Sequence, residues 1–119
     1  MSGDGPTRDL AELAERIRAF AQARDWEQYH TPKNLAMALS VEVAELLEPF
    51  QWLTAEEAEA LAQDPERLAE LESELADVAI YLVRLADVLG VDLGGAIHRK
   101  MGVNEGRFPP RHGSLDRPE

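Results

Sequence analysis

A chain of 119 residues, 45% of them apolar, is sized for one domain with a core of its own. It has no cysteine, which excludes disulfides and thiolate metal sites, and no stretch approaches the roughly 20 apolar residues of a membrane span. The formal charge of −11 repels the phosphate backbone of a polymeric nucleic acid, but not a nucleotide whose own charge is neutralised by metal ions.

The start, Met1-Ser2-Gly3-Asp4-Gly5, carries neither the basic nor the apolar segment of a signal peptide, so a cytoplasmic protein is expected. Residues 1–8 read as a flexible leader, residues 9–107 as a single helical domain and residues 108–119, with Pro109-Pro110, as a disordered tail. Asp9 and Glu12 have capping-box spacing ahead of Leu10, Leu13, Ile17, Phe20 and Ala21 at helical intervals. This first helix is expected to end near Arg24. Thr31-Pro32 is a cap followed by proline at the first helical position, and the second helix should run to about Glu48, before Pro49. Thr54 with Glu57 opens a short third helix through a capping box. Asp64-Pro65 starts the longest helix, which Gly90 should stop near Leu89. Asp92 caps a last helix reaching residues 104–106. No segment alternates with period two, so the fold class is all-α, a bundle of four to five helices.

Two acidic tetrads stand out, Glu42-Val43-Ala44-Glu45 and Glu74-Leu75-Ala76-Asp77. Residues three apart share a helical face, so each pair points its oxygens to one side. On the second helix the apolar stripe is Leu35, Leu39, Val43, Leu46 and Phe50; on the fourth it is Leu71, Leu75, Val78, Leu82, Leu85 and Leu89. Both acidic pairs are offset from their stripe in the same rotational sense. Antiparallel packing along the stripes would therefore place four carboxylates on one side of the seam.

A hard cation such as Mg²⁺ takes oxygen ligands and commonly bridges carboxylates to substrate phosphates. Four carboxylates in one cleft ionise cheaply only beside such a cation. Tyr81 and Arg84 continue the line of Glu74 and Asp77, and Lys100 and Asn104 lie four apart on the last helix. Lys and Arg can hold the remaining phosphate charge. Trp26 and Trp52 flank the second helix; two indoles can sandwich a base, although core filling explains them equally well. A ferritin-like di-iron centre needs Glu-x-x-His on two helices, and neither tetrad has a His at its fourth position.

These residues carry a resemblance. Arg24-Asp25-Trp26-Glu27-Gln28-Tyr29-His30, Pro32-x-Asn34-Leu35, the first tetrad with Leu46, and Phe50-Gln51-Trp52 resemble the MazG-like all-α nucleoside triphosphate pyrophosphohydrolases. So do the second tetrad with Val78 and Ile80-Tyr81-Leu82, and Lys100-Met101 leading to Asn104, Arg107 and Pro109. Within that family the chain looks closest to the dCTP pyrophosphatase branch. The resemblance implies Mg²⁺-dependent hydrolysis between the α- and β-phosphates of a nucleoside triphosphate, with Mn²⁺ as a substitute ion. It implies Glu42, Glu45, Glu74 and Asp77 as catalytic metal ligands, and Trp26 and Trp52 as base-holding residues. Tyr81 would lie near the sugar, and Lys100, Asn104 and Arg107 would receive the phosphates. It further implies a homodimer or homotetramer and a role in clearing unwanted nucleotides from the precursor pool. The chain departs from its relatives at Ile17, where they carry a His near the base, and at Val41, Ala44 and Pro49. Two alternatives accompany the dCTP reading: the same chemistry on dUTP or phosphoribosyl-ATP, and a non-catalytic acidic helical module that binds a partner.

Overall fold

Side-chain caps open all five α-helices of the computed structural model, which describes residues 9–111. Asp9 accepts from the Glu12 N–H at 2.9 Å and starts α1 (Leu10–Ala23), which is half of the expected capping box. Thr31, with Pro32 behind it, starts α2 (Pro32–Leu47), and Pro49 turns the chain out through a 3-10 turn at Glu48–Phe50. Thr54 and Glu57 cap each other's backbone N–H groups at α3 (Ala55–Ala60), which runs into a second 3-10 turn at Leu61–Gln63. Asp64 opens α4 (Pro65–Val88), and Asp92 opens α5 (Leu93–Arg107). There is no strand among the described residues, as an all-α fold requires. The leader at 1–8 and residues 112–119 of the expected tail lie outside the described residues.

Two helices end in the same way. After α1 the Trp26 N–H bonds to the Ala21 carbonyl at 2.9 Å and the Asp25 N–H to that of Gln22 at 3.1 Å. After α4 the Val91 N–H bonds to the Ala86 carbonyl at 2.8 Å and the Gly90 N–H to that of Asp87 at 3.0 Å. Both are Schellman caps, which need a left-handed residue at their centre. Gly90 supplies it without strain at φ 75°, whereas Asp25 holds φ 59° against the usual penalty on a side chain.

α4 is the centre of the fold. It packs most extensively on α2, then on α1, and α5 rests on both α1 and α4. The buried apolar residues are Ala21, Leu35, Leu61, Leu71, Val83 and Ala86. The expected stripes are only partly covered: Leu35 and Leu71 are buried, but Val43, Leu75, Leu82 and Leu89 are exposed. α4 is apolar on more than one face, and α1, α2 and α5 do not cover them all. Met37, Val41 and Leu47 of α2 and Ile80 of α4 are exposed as well.

One charge sits in this core. Arg84 is 5% exposed, and its Nη1 donates to Asp87 Oδ2 at 3.2 Å. Its Nε donates to His30 Nδ1 at 3.0 Å. Arg18 of α1 clasps Asp87 with both ends of its fork, at 2.9 and 2.8 Å. The hydrogen bond from Arg18 chiefly holds the Asp87 carboxyl below its ordinary 3.8, helped by the charges of Arg18 and Arg84 and opposed by burial. Burial, and then the Arg84 charge, push His30 below its ordinary 6.5.

Both shifts have the same sign for stability, because the unfolded chain takes up each proton first. The His30 contribution is complete above pH 6.5 and is lost as pH falls through the lower folded value. The Asp87 contribution is lost in the same way below pH 3.8. The Tm of the protein minus that of His30→Asn should therefore fall between pH 7 and pH 5. A difference independent of pH in that range would show that His30 does not titrate on unfolding.

Candidate metal centre

Glu42 and Glu45 stand one turn apart on α2, and Glu74 faces them from α4 across the most extensive helix pairing in the fold. One oxygen from each of the three carboxylates lies within 4.8 Å of the others. Glu45 is exposed, while Glu42 and Glu74 are half-buried. Glu42 Oε1 and Glu74 Oε1 are shielded from solvent and have no hydrogen-bond partner. Among the described residues no Lys or Arg forms an ion pair with any of the three. Burial first, then the charges of Glu45 and Glu42, raise the Glu74 carboxyl above its ordinary value. Asp77 adds a smaller push in the same direction.

An orphaned buried carboxylate oxygen is costly, and two in one cleft call for a positive charge between them. The donor set is all oxygen, which suits a hard divalent cation and not a soft one. The residues present fit such an ion.

Asp77, expected as a fourth ligand, lies one turn beyond Glu74 and outside the group of three. It is half-buried, and its charge reaches Glu74 without its oxygens joining the 4.8 Å cluster. A cavity of about 550 Å³ opens beside the cluster and is lined by Glu45, Glu74, Glu48, Glu70 and Arg67 among others. Trp26, Trp52, Tyr81, Lys100, Asn104 and Arg107 do not line it. Glu42 does not line it either, so the cavity adjoins the Glu45 and Glu74 side of the cluster.

Each of those residues has a definite setting. Trp26 stands in the connection between α1 and α2, its ring edge-on to Phe20 at 5.6 Å and to His30 at 6.0 Å. Trp52, between the first 3-10 turn and α3, is 86% exposed, which removes the core-filling reading for it within this chain. Tyr81 is half-buried on α4 one turn before Arg84. Lys100 is exposed on α5 and Asn104 half-buried. The Arg107 guanidinium lies 5.0 Å over the Phe108 ring.

Two features were not foreseen. Arg67 lines the cavity beside Glu45 and Glu74; its spacing of seven residues before Glu74, two turns along one face, is the sequence signal for it. The clasp of Arg18, Asp87, Arg84 and His30 spans up to 69 residues of sequence, and no local spacing could have revealed it.

A profile of the MazG-like family matches residues 37–114, both tetrads included. The chain belongs to the MazG-like family. It is similar to dCTP pyrophosphatase 1 of Homo sapiens, with 45% identity over 104 residues covering 87% of this chain and 61% of that protein. Against dCTP pyrophosphatase 1 of Bos taurus the identity is 50% over 100 residues, covering 84% of this chain and 59% of the relative. The chain thus spans about three fifths of the length of these curated relatives. A crystal structure of a pyrophosphatase from Archaeoglobus fulgidus superposes with a TM-score of 0.74 at 42% identity. That match covers 92% of this chain and 100% of the archaeal one. The MazG-like assignment made from the sequence motifs is therefore correct. Within a MazG-like fold, the gathered carboxylates of α2 and α4 are the feature with chemistry to offer.

Proposed function

We propose that this MazG-like chain is a divalent-metal-dependent nucleotide pyrophosphohydrolase. Its reaction adds water across the α–β phosphoanhydride of a nucleoside triphosphate and releases the monophosphate and pyrophosphate. The observation that carries the reading is the trio Glu42, Glu45 and Glu74, with two buried oxygens left unpartnered. Similarity to proteins named dCTP pyrophosphatase 1 supports dCTP or a modified dCTP as the first substrate to try. Nucleotide-pool clearance, at a cytoplasmic location, is the role that fits such a substrate. Among the described residues no helix is long and apolar enough to cross a membrane.

In this reading Glu42, Glu45 and Glu74 hold Mg²⁺, or Mn²⁺ in its place, and Asp77 completes the set from the next turn of α4. The ion supplies polarisation of a phosphoryl oxygen and a more acidic bound water. Trp26 and Trp52 take the base, Tyr81 faces the sugar, and Lys100, Asn104 and Arg107 take the phosphates. A second copy of the chain completes the site in this reading. The uncovered apolar faces of α2 and α4 support such a homodimer or homotetramer.

A thermal-shift titration tests the metal centre. Mg²⁺ at 100 times its Kd should stabilise the protein by about 2.7 kcal/mol through binding linkage. Glu45→Gln should lose most of that gain. A Tm indifferent to millimolar Mg²⁺ and Mn²⁺ would instead favour an acidic partner-binding module.

A further inference from the structure

We propose that Arg84, acting through His30, is a positioning residue for the Trp26 indole and thereby sets the affinity for the nucleobase. The proposal rests on the reading of Trp26 as a base-binding residue. It starts from the placement of a full charge in the core. Burying a guanidinium is expensive, and an apolar residue of similar volume commonly serves stability as well or better. The Arg84 guanidinium is instead committed to two directed bonds, one to Asp87 on its own helix and one to His30 fifty-four residues away.

The second bond fixes the state of His30. Arginine has no acceptor, so Nδ1 must present its lone pair and the ring is neutral with its proton on Nε2. The His30 backbone N–H bonds to the carbonyls of Trp26 at 3.1 Å and Glu27 at 3.2 Å. Its ring meets the Trp26 indole edge-on, with interplanar angle 61°. Phe20 of α1 makes a second T-shaped contact with the indole at 71°, and the Schellman cap at Asp25 fixes the indole's backbone. The indole is still 42% exposed. It is held by two T-shaped ring contacts and still partly open to a ligand that stacks on it.

The line of contacts therefore runs from Arg18 on α1 to Asp87 and Arg84 on α4, and then through His30 to Trp26. It ties the aromatic connection to the helix that carries Glu74 ten residues earlier, about 15 Å along the axis. The aromatic connection and Glu74 are thus tied to one and the same helix.

The test uses the full protein with Arg84→Met, His30→Ala, His30→Asn and Trp26→Ala. Asn Oδ1 can accept from Arg84 Nε much as Nδ1 does. Arg84→Met and His30→Ala should raise KM about tenfold, the worth of one charged hydrogen bond, with kcat within about twofold. His30→Asn should restore KM to near the starting value. A second readout needs neither metal nor nucleotide: in a Trp52→Phe background, Trp26 emission should move to longer wavelength in Arg84→Met and not in His30→Asn. An unmoved emission in Arg84→Met and His30→Ala overturns the positioning role, whatever the activity. If emission moves but Trp26→Ala leaves KM unchanged, the base-binding reading of Trp26 fails and the link to affinity falls with it. Equal losses of kcat in all three Arg84 and His30 variants, unrescued by Asn, would reduce the contacts to structural support.

Discussion

Glu74→Gln should have opposite effects on stability and activity. Without metal the Tm should rise, because the substitution removes the carboxylate that burial and two neighbouring glutamates hold against ionisation. The new amide can also donate to Glu42 Oε1, which has no partner in the native protein. Turnover should fall by about 10²–10³-fold or more, the scale of losing a charged group aimed at the developing charge. The stabilisation by Mg²⁺ should vanish with it. A merely structural glutamate would show the reverse, a lower Tm and intact turnover. The sign of the Tm change is therefore more informative than the loss of activity alone. Far-UV circular dichroism of the variant, unchanged in helix content, completes the comparison.

The largest loss of stability is expected at Asp87. Asp87→Ala leaves the Arg84 guanidinium, 5% exposed, without its counter-charge. Stranding a buried charge in this way costs about 3–5 kcal/mol. Arg18 is the less buried partner, its side chain 42% exposed, so Arg18→Ala should cost about 1 kcal/mol or less. The double variant Asp87→Ala with Arg84→Met should regain part of the loss, because no buried charge is then left unpaired. Urea unfolding of the four proteins measures this. Equal costs at Arg18 and Asp87 would mean that the exposed bond, and not the buried one, matters.

Local chemistry made much of this fold legible. Thr31-Pro32, Thr54 with Glu57, Asp64-Pro65, Asp92 and Gly90 each act on the residues beside them, and each marks the helix boundary it announces. The face shared by Glu42 and Glu45 follows from helical period alone, and so does its meeting with Glu74 once α2 and α4 pair. Asp77 stands outside the 4.8 Å group, because sharing a face within one turn does not fix the distance to a second helix. Apolar spacing also failed to separate the buried positions of α4 from Leu75, Leu82 and Leu89, which are exposed. Exposure of Trp52 depends on what the chain does after Pro49, and the bond from Arg84 to His30 depends on tertiary packing. Neither is written in a local pattern.

The most direct measurement is product analysis with Mg²⁺ and with EDTA across a panel of deoxy- and ribonucleoside triphosphates. Pyrophosphate and the nucleoside monophosphate, formed only with metal and fastest with dCTP or its modified forms, are the predicted result. The same products fastest with dUTP would keep the chemistry and move the base preference. Orthophosphate as the primary product, or no turnover of any triphosphate or of phosphoribosyl-ATP, would contradict the account.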